Sequence, residues 1–324
     1  MSERVRWGVL STARINQKVL AGARGAAQVE VLAVASRDRA VAEAYAREHA
    51  ITRAYGSYDE LLADDDVEVV YISLPNGLHV EWSIRALEAG KHVLCEKPLS
   101  PRPSEVERAF DVAERSGRLL MEAFMYRHNP QIKRLASLVA GGTIGRLRAV
   151  HASFGFHIDD LGDPRLSSEL EGGALLDVGC YCVSAARLLC GEPERAQGEQ
   201  VIGGGGVDVT FAGVLRFPDD VLAHFDCGLL IDKSEELVVL GEEGNLRVLD
   251  PWHCRAPGIE LSRDGVAESI AVETINSYML QLDNFSAAIR GTAAPLLGRD
   301  DAVGQARTIE ALYASAGEHR TVTL

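Results

Sequence analysis

The stretch "RWGVLSTARINQKVLAG", Arg6 to Gly22, runs an apolar burst directly into a helical pattern. If Val5–Leu10 is a strand, residues 11–15 form a turn and Ile15 onward opens the first helix. Amides at a helix N-terminus, helped by the helix dipole, suit an anionic diphosphate. Ser11, Thr12, Ala13, Arg14 and Ile15 are then the candidate cradle for a dinucleotide. The glycines of G-x-G-x-x-G are missing, and Ser11, Ala13 and Asn16 stand in their places. Ser11 and Ala13 are small enough to let the backbone approach a pyrophosphate, the main task of those glycines. Asn16 replaces the packing glycine, so the first helix is expected slightly farther from the sheet. Small residues also serve ordinary packing, so the turn by itself does not decide the function.

Outward from this turn, the apolar runs "VRWGVL", "VEVLAVAS", "VEVVYISL", "HVLCEKP" and "RLLMEAF" recur between helical patterns. Runs with so little polar alternation suit buried parallel strands. Ser57…Glu60 and Ser104…Glu107 fit capping boxes, and Gly90 and Gly117 sit where helices would end. Strand–helix–strand repetition implies right-handed crossovers and a doubly wound parallel sheet over residues 1–122.

Beyond residue 122 the pattern changes. A helix is expected from Pro130 to Gly141-Gly142, then a long strand in "RLRAVHASFGFHI", a polar loop at 159–171 and a helix in "GGALLDVGCYCVSAARLLCG". Alternation in "DVTFAGVLRF" and "VLAHFDCGLL" marks half-exposed strands, and two helices, at 277–290 and 300–316, close the chain. Residues 123–324 therefore read as an α+β domain on an open, largely antiparallel sheet. The glycine run at 203–206 reads as a loop.

A length of 324 residues accommodates two cores. A formal charge of -14 argues against sequence-independent binding to nucleic-acid phosphates. The six cysteines form no C-x-x-C, which suits reduced thiols in a cytoplasmic protein rather than a disulfide scaffold or zinc knuckle. Charges at Glu3, Arg4 and Arg6 leave no signal-peptide pattern, and no apolar stretch is read as spanning a bilayer.

Three further stretches carry chemistry. The second strand ends in Ser36-Arg37-Asp38. A free ribose 2′-hydroxyl usually meets an acidic residue there, whereas a hydroxyl and a guanidinium suit a 2′-phosphate. This favours NADP(H), with NAD(H) possible through Asp38; Ser36 or Asp38 would equally cap the next helix with Arg37 solvated. "CEKPLS", Cys95 to Ser100, puts Glu96 and Lys97 at a strand's carboxyl end, over the crevice where open α/β sheets bind ligands. Asp177 and Tyr181 are four apart and share a helix face. A tyrosine, with its pKa near ~10, needs a neighbouring cation to exchange protons with an alcohol at neutral pH, and Lys97 is the candidate. Core packing is the alternative for the tyrosine. No H-E-x-x-H or G-x-S-x-G occurs, and no metal is expected.

Together "PNGLHVEWSIRALEAGKHVLCEKPLS" (75–100), "MEAFMYRHNPQ" (121–131) and "GGALLDVGCYCVSAARLLCG" (172–191) resemble the Gfo/Idh/MocA oxidoreductase family across nearly the whole chain. The resemblance implies a Rossmann domain followed by an open-faced sheet, a catalytic Lys97, and Asn76 beside the nicotinamide. It associates His79 and Asp177 with cofactor or substrate placement. Many members carry histidine at the position of Tyr181. Tyrosine there resembles the branch of NADP-dependent D-xylose dehydrogenases, dimeric dihydrodiol dehydrogenases and some ketosugar reductases.

The expected cofactor set adds Ser36, Arg37, Leu74, Pro75, Asn76, His79, Glu96 and Lys97 to the cradle. Tyr181, Lys97 and Asp177 are the expected catalytic residues, and Arg127, His128, Asp177 and Tyr181 the expected substrate residues. The expected reaction is hydride transfer between NADP and a ring carbon of a sugar or cyclic diol. A redox-neutral NAD-dependent glycosidase and a non-enzymatic NADP-binding regulator are the competing readings. Joint presence of Lys97 and Tyr181 argues for catalysis. The alternating sheet face predicts a homodimer, or a dimer of dimers, through the second domain.

Overall fold

The computed structural model describes residues 4–324, so Glu3 lies outside the described residues. The chain forms two compact units. The first takes in the chain up to Ser100, Ser104–Met125 and Asn276–Val303; the second comprises Pro101–Pro103, Tyr126–Ile275 and Gly304–Leu324.

The first unit begins β1 (Val5–Leu10), α1 (Asn16–Gly25), β2 (Val29–Ala35), α2 (Arg39–His49), β3 (Arg53–Tyr55) and α3 (Tyr58–Leu62). It continues with β4 (Val69–Ile72), α4 (His79–Glu88), β5 (His92–Cys95), α5 (Pro103–Ser116) and β6 (Leu120–Glu122). The strands are parallel in the order β3-β2-β1-β4-β5-β6, the doubly wound arrangement that the apolar runs implied. β3 has only three residues, each half-buried at the sheet edge, which is why no apolar run announced it.

Ser57 caps α3 by accepting the Glu60 amide at 3.2 Å, as its motif suggested. Ser104 does not cap α5: the helix already starts at Pro103, whose fixed φ suits a first turn. Gly90 and Gly117 follow α4 and α5 with φ of +77° and +63°, values that favour glycine.

The second unit contains α6 (Pro130–Ala140), β7 (Leu147–His157), α7 (Cys180–Cys190), β8 (Arg195–Ile202) and β9 (Asp208–Arg216). Then come β10 (Leu222–Gly228), β11 (Leu230–Gly241), β12 (Asn245–Leu249), β13 (Gly258–Arg263) and β14 (Val266–Ile270). The sheet order is β14-β13-β12-β11-β7-β10-β9-β8, closed at one edge by β15 (Val322–Thr323). Every pairing is antiparallel except β10 with β7. Alternate residues of β8 and β10 are buried and exposed, so one face is covered, by α7 over β7 and β10 and by Leu312 and Ser315 at β8, while the other is bare.

Two expectations change here. The helix expected at 172–191 is not one regular helix: a π-helical turn, Leu175–Gly179, precedes α7. The stretch Ser168–Cys190 is also long and apolar enough to cross a membrane by length and composition, contrary to the reading that none was. Of its most apolar 18 residues, 78% are buried, so its apolar character is explained by core packing.

α8 (Ser277–Ile289) packs with the first unit, although the sequence grouped it with the second domain. It lies against α1, where a Cβ on Gly22 would fall 2.8 Å from the Met279 amide nitrogen. The Trp7 indole donates to Ser286, and Arg290 pairs with Glu68 at 2.7 Å. α9 (Arg299–Glu318) begins in the first unit and continues in the second.

Candidate functional site

In the first unit the expected cofactor residues gather at the carboxyl ends of β2, β1, β4 and β5, four adjacent parallel strands. Ser11 closes β1 with φ of +104°, a conformation that usually calls for glycine. Its hydroxyl lies 2.8 Å from that of Ser73 after β4 and accepts the Ala13 amide at 3.2 Å. Asn16 is fully buried and donates its side-chain amide to the Ser11 carbonyl at 2.9 Å. The polar side chains that replaced glycine therefore hold the turn shut. Thr12, Ala13 and Ile15 stay half-exposed and Arg14 exposed, leaving the cradle open to a ligand.

At the end of β2, Asp38 caps α2 by accepting the Ala40 amide at 2.8 Å. Arg39 is tied to Glu60 at 2.5 Å. Arg37 is exposed, and no carboxylate pairs with it among the described residues. A guanidinium without a partner, beside the half-buried Ser36, fits a 2′-phosphate better than a bare ribose hydroxyl.

The turn bearing Lys97 is braced from several sides. Tyr71 donates to Glu96 at 2.5 Å, and the Leu99 amide donates to buried Glu122 at 2.7 Å. Ser100 donates to Glu105 at 2.7 Å. The buried His79 ring faces the Pro98 and Leu74 carbonyls, each at 2.8 Å. Burial lowers the His79 pKa, and a neutral imidazole donates to only one of these carbonyls. His79 thus ties the turn after β4, where Leu74 and Pro75 precede a short helical turn at Asn76–Leu78, to the turn after β5. Its ring is out of solvent's reach.

The second unit presents its own cluster. Tyr181 on α7 lies among Phe154, Tyr126 and Trp252, with ring centroids at 5.3, 5.5 and 6.1 Å. Tyr126 donates to Ser184 at 2.8 Å, and Arg127 reaches the same hydroxyl at 3.2 Å, three residues beyond Tyr181. Asp177, in the π turn, lies 3.7 Å from Arg165. Arg165 grips Asp163 through two nitrogens, at 2.9 and 2.7 Å. Arg127 thus reaches α7 at Ser184 and Asp177 faces Arg165, whereas His128 is 2% exposed and its pKa falls to about 3 through burial. His128 is thus a buried, neutral imidazole.

Tyr71, Glu122, Tyr126, Phe154, Arg165 and Trp252 were not singled out from the sequence. Only their place in the fold brings them to the expected residues; Arg165 lies in the polar loop at 159–171. One group among the described residues has donor atoms close enough to hold a metal ion, Glu235, Asp250 and His253. Lys233 and Arg255 already pair with its carboxylates, so it reads as an ion-pair network.

Comparison with known proteins agrees with this fold. Residues 5–124 match the model of an oxidoreductase family with an NAD-binding Rossmann fold, and residues 132–247 match the GFO/IDH/MocA C-terminal domain. The chain is 38% identical to a D-xylose 1-dehydrogenase (NADP(+)) of Haloferax volcanii, over 98% of this chain and 99% of the relative. It is 35% identical to a trans-1,2-dihydrobenzene-1,2-diol dehydrogenase of Danio rerio, over 78% and 76% respectively. A 3-ketoreductase from Actinomadura kijaniata, solved with NADP and TDP-benzene, superposes with a TM-score of 0.90 at 32% identity. That superposition covers 97% of this chain and 98% of the ketoreductase.

Proposed function

The chain belongs to the Gfo/Idh/MocA oxidoreductase family, and from that premise we propose an NADP-dependent enzyme that interconverts a ring hydroxyl and ketone of a sugar or cyclic diol. The observation that carries this reading is the bracing of the Lys97 turn by Tyr71, Glu122, His79 and Glu105. Four polar contacts around one short turn hold a lysine at the end of β5, where a solvated surface lysine would need none.

The first unit is the dinucleotide-binding domain in this reading, with Ser11–Ile15 at the diphosphate and Ser36 and Arg37 at the 2′-phosphate. NADP, when bound, supplies or accepts the hydride. The second unit binds the substrate. Tyr181 exchanges the proton of the reacting hydroxyl, and Lys97 stabilises the negative charge that develops on that oxygen. Asp177 orients the substrate, assisted by Arg165 and Arg127. The aromatic wall of Phe154, Tyr126 and Trp252 fixes the Tyr181 ring and excludes water from its flank.

The bare sheet face supports assembly. Val214 and Leu222 are 45% and 43% exposed on it, and the His151 and His224 rings lie 4.0 Å apart between centroids. We assign this face to a homodimer, or a dimer of dimers. The six free cysteines, five of them buried, support a cytoplasmic setting.

The experiment is a panel of aldoses, inositols and trans-diols followed by NADP reduction, with NAD in parallel. Turnover of a sugar or diol with NADP well above NAD supports the reading. Release of a sugar without net reduction, or cofactor binding with no turnover across the panel, sinks it.

A further inference from the structure

The helix that carries Asp177 and Tyr181 starts in an unusual way. Gly173 has φ of +125°, and the chain then enters the π turn with no side-chain cap from its own neighbours. A helix start leaves its first amides without intrahelical partners. The Leu175 amide here donates to Asp208 Oδ2 at 2.7 Å, from a residue 33 positions away at the start of β9. The other oxygen, Oδ1, accepts the Tyr313 hydroxyl of α9 at 2.8 Å. Asp208 is 2% exposed, and a Cβ on Gly173 would lie 2.2 Å from its Oδ1. The carboxylate is therefore seated directly against the backbone that begins the turn.

We infer that Asp208 is a positioning residue for the reacting pair, a remote cap that holds the π turn in the register setting Asp177 and Tyr181, with Tyr313 as its brace. The inference rests on the reading of Tyr181 and Asp177 given above. A π turn admits an extra residue into the helical ladder, and such turns recur at functional sites. Without an anchored first amide, this turn can relax toward a regular α-helix. That relaxation would rotate Asp177 relative to Tyr181. A carboxylate at this end also complements the helix dipole.

The charged form of Asp208 has no cationic partner among the groups that face it. Those groups are Tyr313 from α9 and Cys227 from β10. Burial raises the Asp208 pKa to about 6, against the amide and hydroxyl donors that favour the carboxylate. Protonation as the pH falls through that value puts a proton on one oxygen and leaves at most a neutral, weaker acceptor for the Leu175 amide. The anchor is therefore complete only above about pH 6.

Asp208→Asn and Tyr313→Phe test this in the full-length protein. Three readouts are needed: kcat across pH 5–8, the NADP dissociation constant, and amide hydrogen exchange over residues 173–181. Asp208→Asn is expected to lower kcat about 10–100-fold, the scale of a small misplacement of reacting groups. NADP affinity should hold, exchange over 173–181 should accelerate, and the acid limb of kcat near pH 6 should vanish. Tyr313→Phe should act in the same direction, more weakly.

Unchanged exchange in Asp208→Asn overturns the anchor, whatever happens to kcat. Faster exchange with wild-type kcat, alongside an inactive Tyr181→Phe, overturns the positioning role and leaves the reading of Tyr181 intact. A fully active Tyr181→Phe overturns that reading and this inference with it. Loss of kcat and of NADP affinity together, in step with a lowered Tm, marks Asp208 as structural only and overturns the proposal.

Discussion

Arg165 stands 3.7 Å from Asp177 while holding Asp163 through two nitrogens, so a loop residue and a helix residue share one guanidinium. The loop at 159–171 is thereby fastened to the turn that carries a candidate substrate ligand. Arg165→Ala should raise KM for the sugar about 10-fold or more, the scale of a lost charge-assisted bond. KM for NADP should stay unchanged. Steady-state kinetics with each substrate varied in turn would show it; a matched rise in both KM values would refute a substrate-side role.

Lys97→Met and Tyr181→Phe remove the proton-exchanging pair while nearly preserving shape. Each should lower kcat by about 10²–10⁴-fold, the usual weight of a positioned acid or base. Thermal unfolding should move little in either variant. Near-normal NADP-linked turnover in both would end the proposed mechanism.

Arg37 and Arg39 are two positions apart but differently engaged, since only Arg39 is held by Glu60. Arg37→Ala should weaken NADP binding about 10–100-fold and leave NAD binding nearly as it was. Arg39→Ala loses an exposed ion pair, worth at most about 1 kcal/mol, and should leave cofactor preference alone. Fluorescence titration of both cofactors distinguishes the two. A larger NADP defect in Arg39→Ala would relocate the 2′-phosphate site.

Acid should destabilise the fold through its buried histidines. Burial lowers His128 to about 3 and His92 to about 4, and His92 accepts the Leu119 amide on Nδ1 at 2.9 Å. Both stay neutral in the fold at pH values where the unfolded chain, near pKa 6.5, is protonated. Stability is therefore full above about pH 6.5 and is lost as the pH falls toward 4 and 3. For His128 the loss at pH 5 is about 2 kcal/mol. Asp208, raised to about 6, works in the opposite direction over the range below that value. His92→Asn keeps an acceptor for Leu119 without the titration, and should flatten the Tm–pH curve between 6.5 and 4; an unaltered curve would exclude His92 as a cause.

Val214→Asp with Leu222→Asp places charges on the bare sheet face without touching the core side. Sedimentation velocity should then show monomers where the wild type gives dimers. A wild type that sediments as a monomer, or a variant that stays dimeric, would remove this face from the assembly.

The doubly wound sheet was legible because its strands are buried on both faces and read as uninterrupted apolar runs. β3 escaped because an edge strand of three residues carries no such run. The π turn was invisible: Leu175 and Gly179 obey helical patterning, and what bends the ladder is Asp208, far along the chain. Lys97, Asp177 and Tyr181 stood out by residue type and setting. Glu122, Arg165 and Trp252 had no local signal, since their partners are set by tertiary contacts. The burial of His128 had no local signal either, since a polar residue beside Arg127 reads as accessible.

The place of α8 also bears on how the protein is made. Trp7 and Phe285 meet edge to face at 6.1 Å, and both are buried. The last strand of the first sheet leaves the ribosome at Glu122, but its partner helix is finished only at Ile289. At ordinary elongation rates that interval is roughly ten to thirty seconds. For that time the nascent sheet exposes the Trp7 and Gly22 side of its surface. This is a window in which chaperone capture, or premature pairing with another nascent chain, competes with completion of the fold.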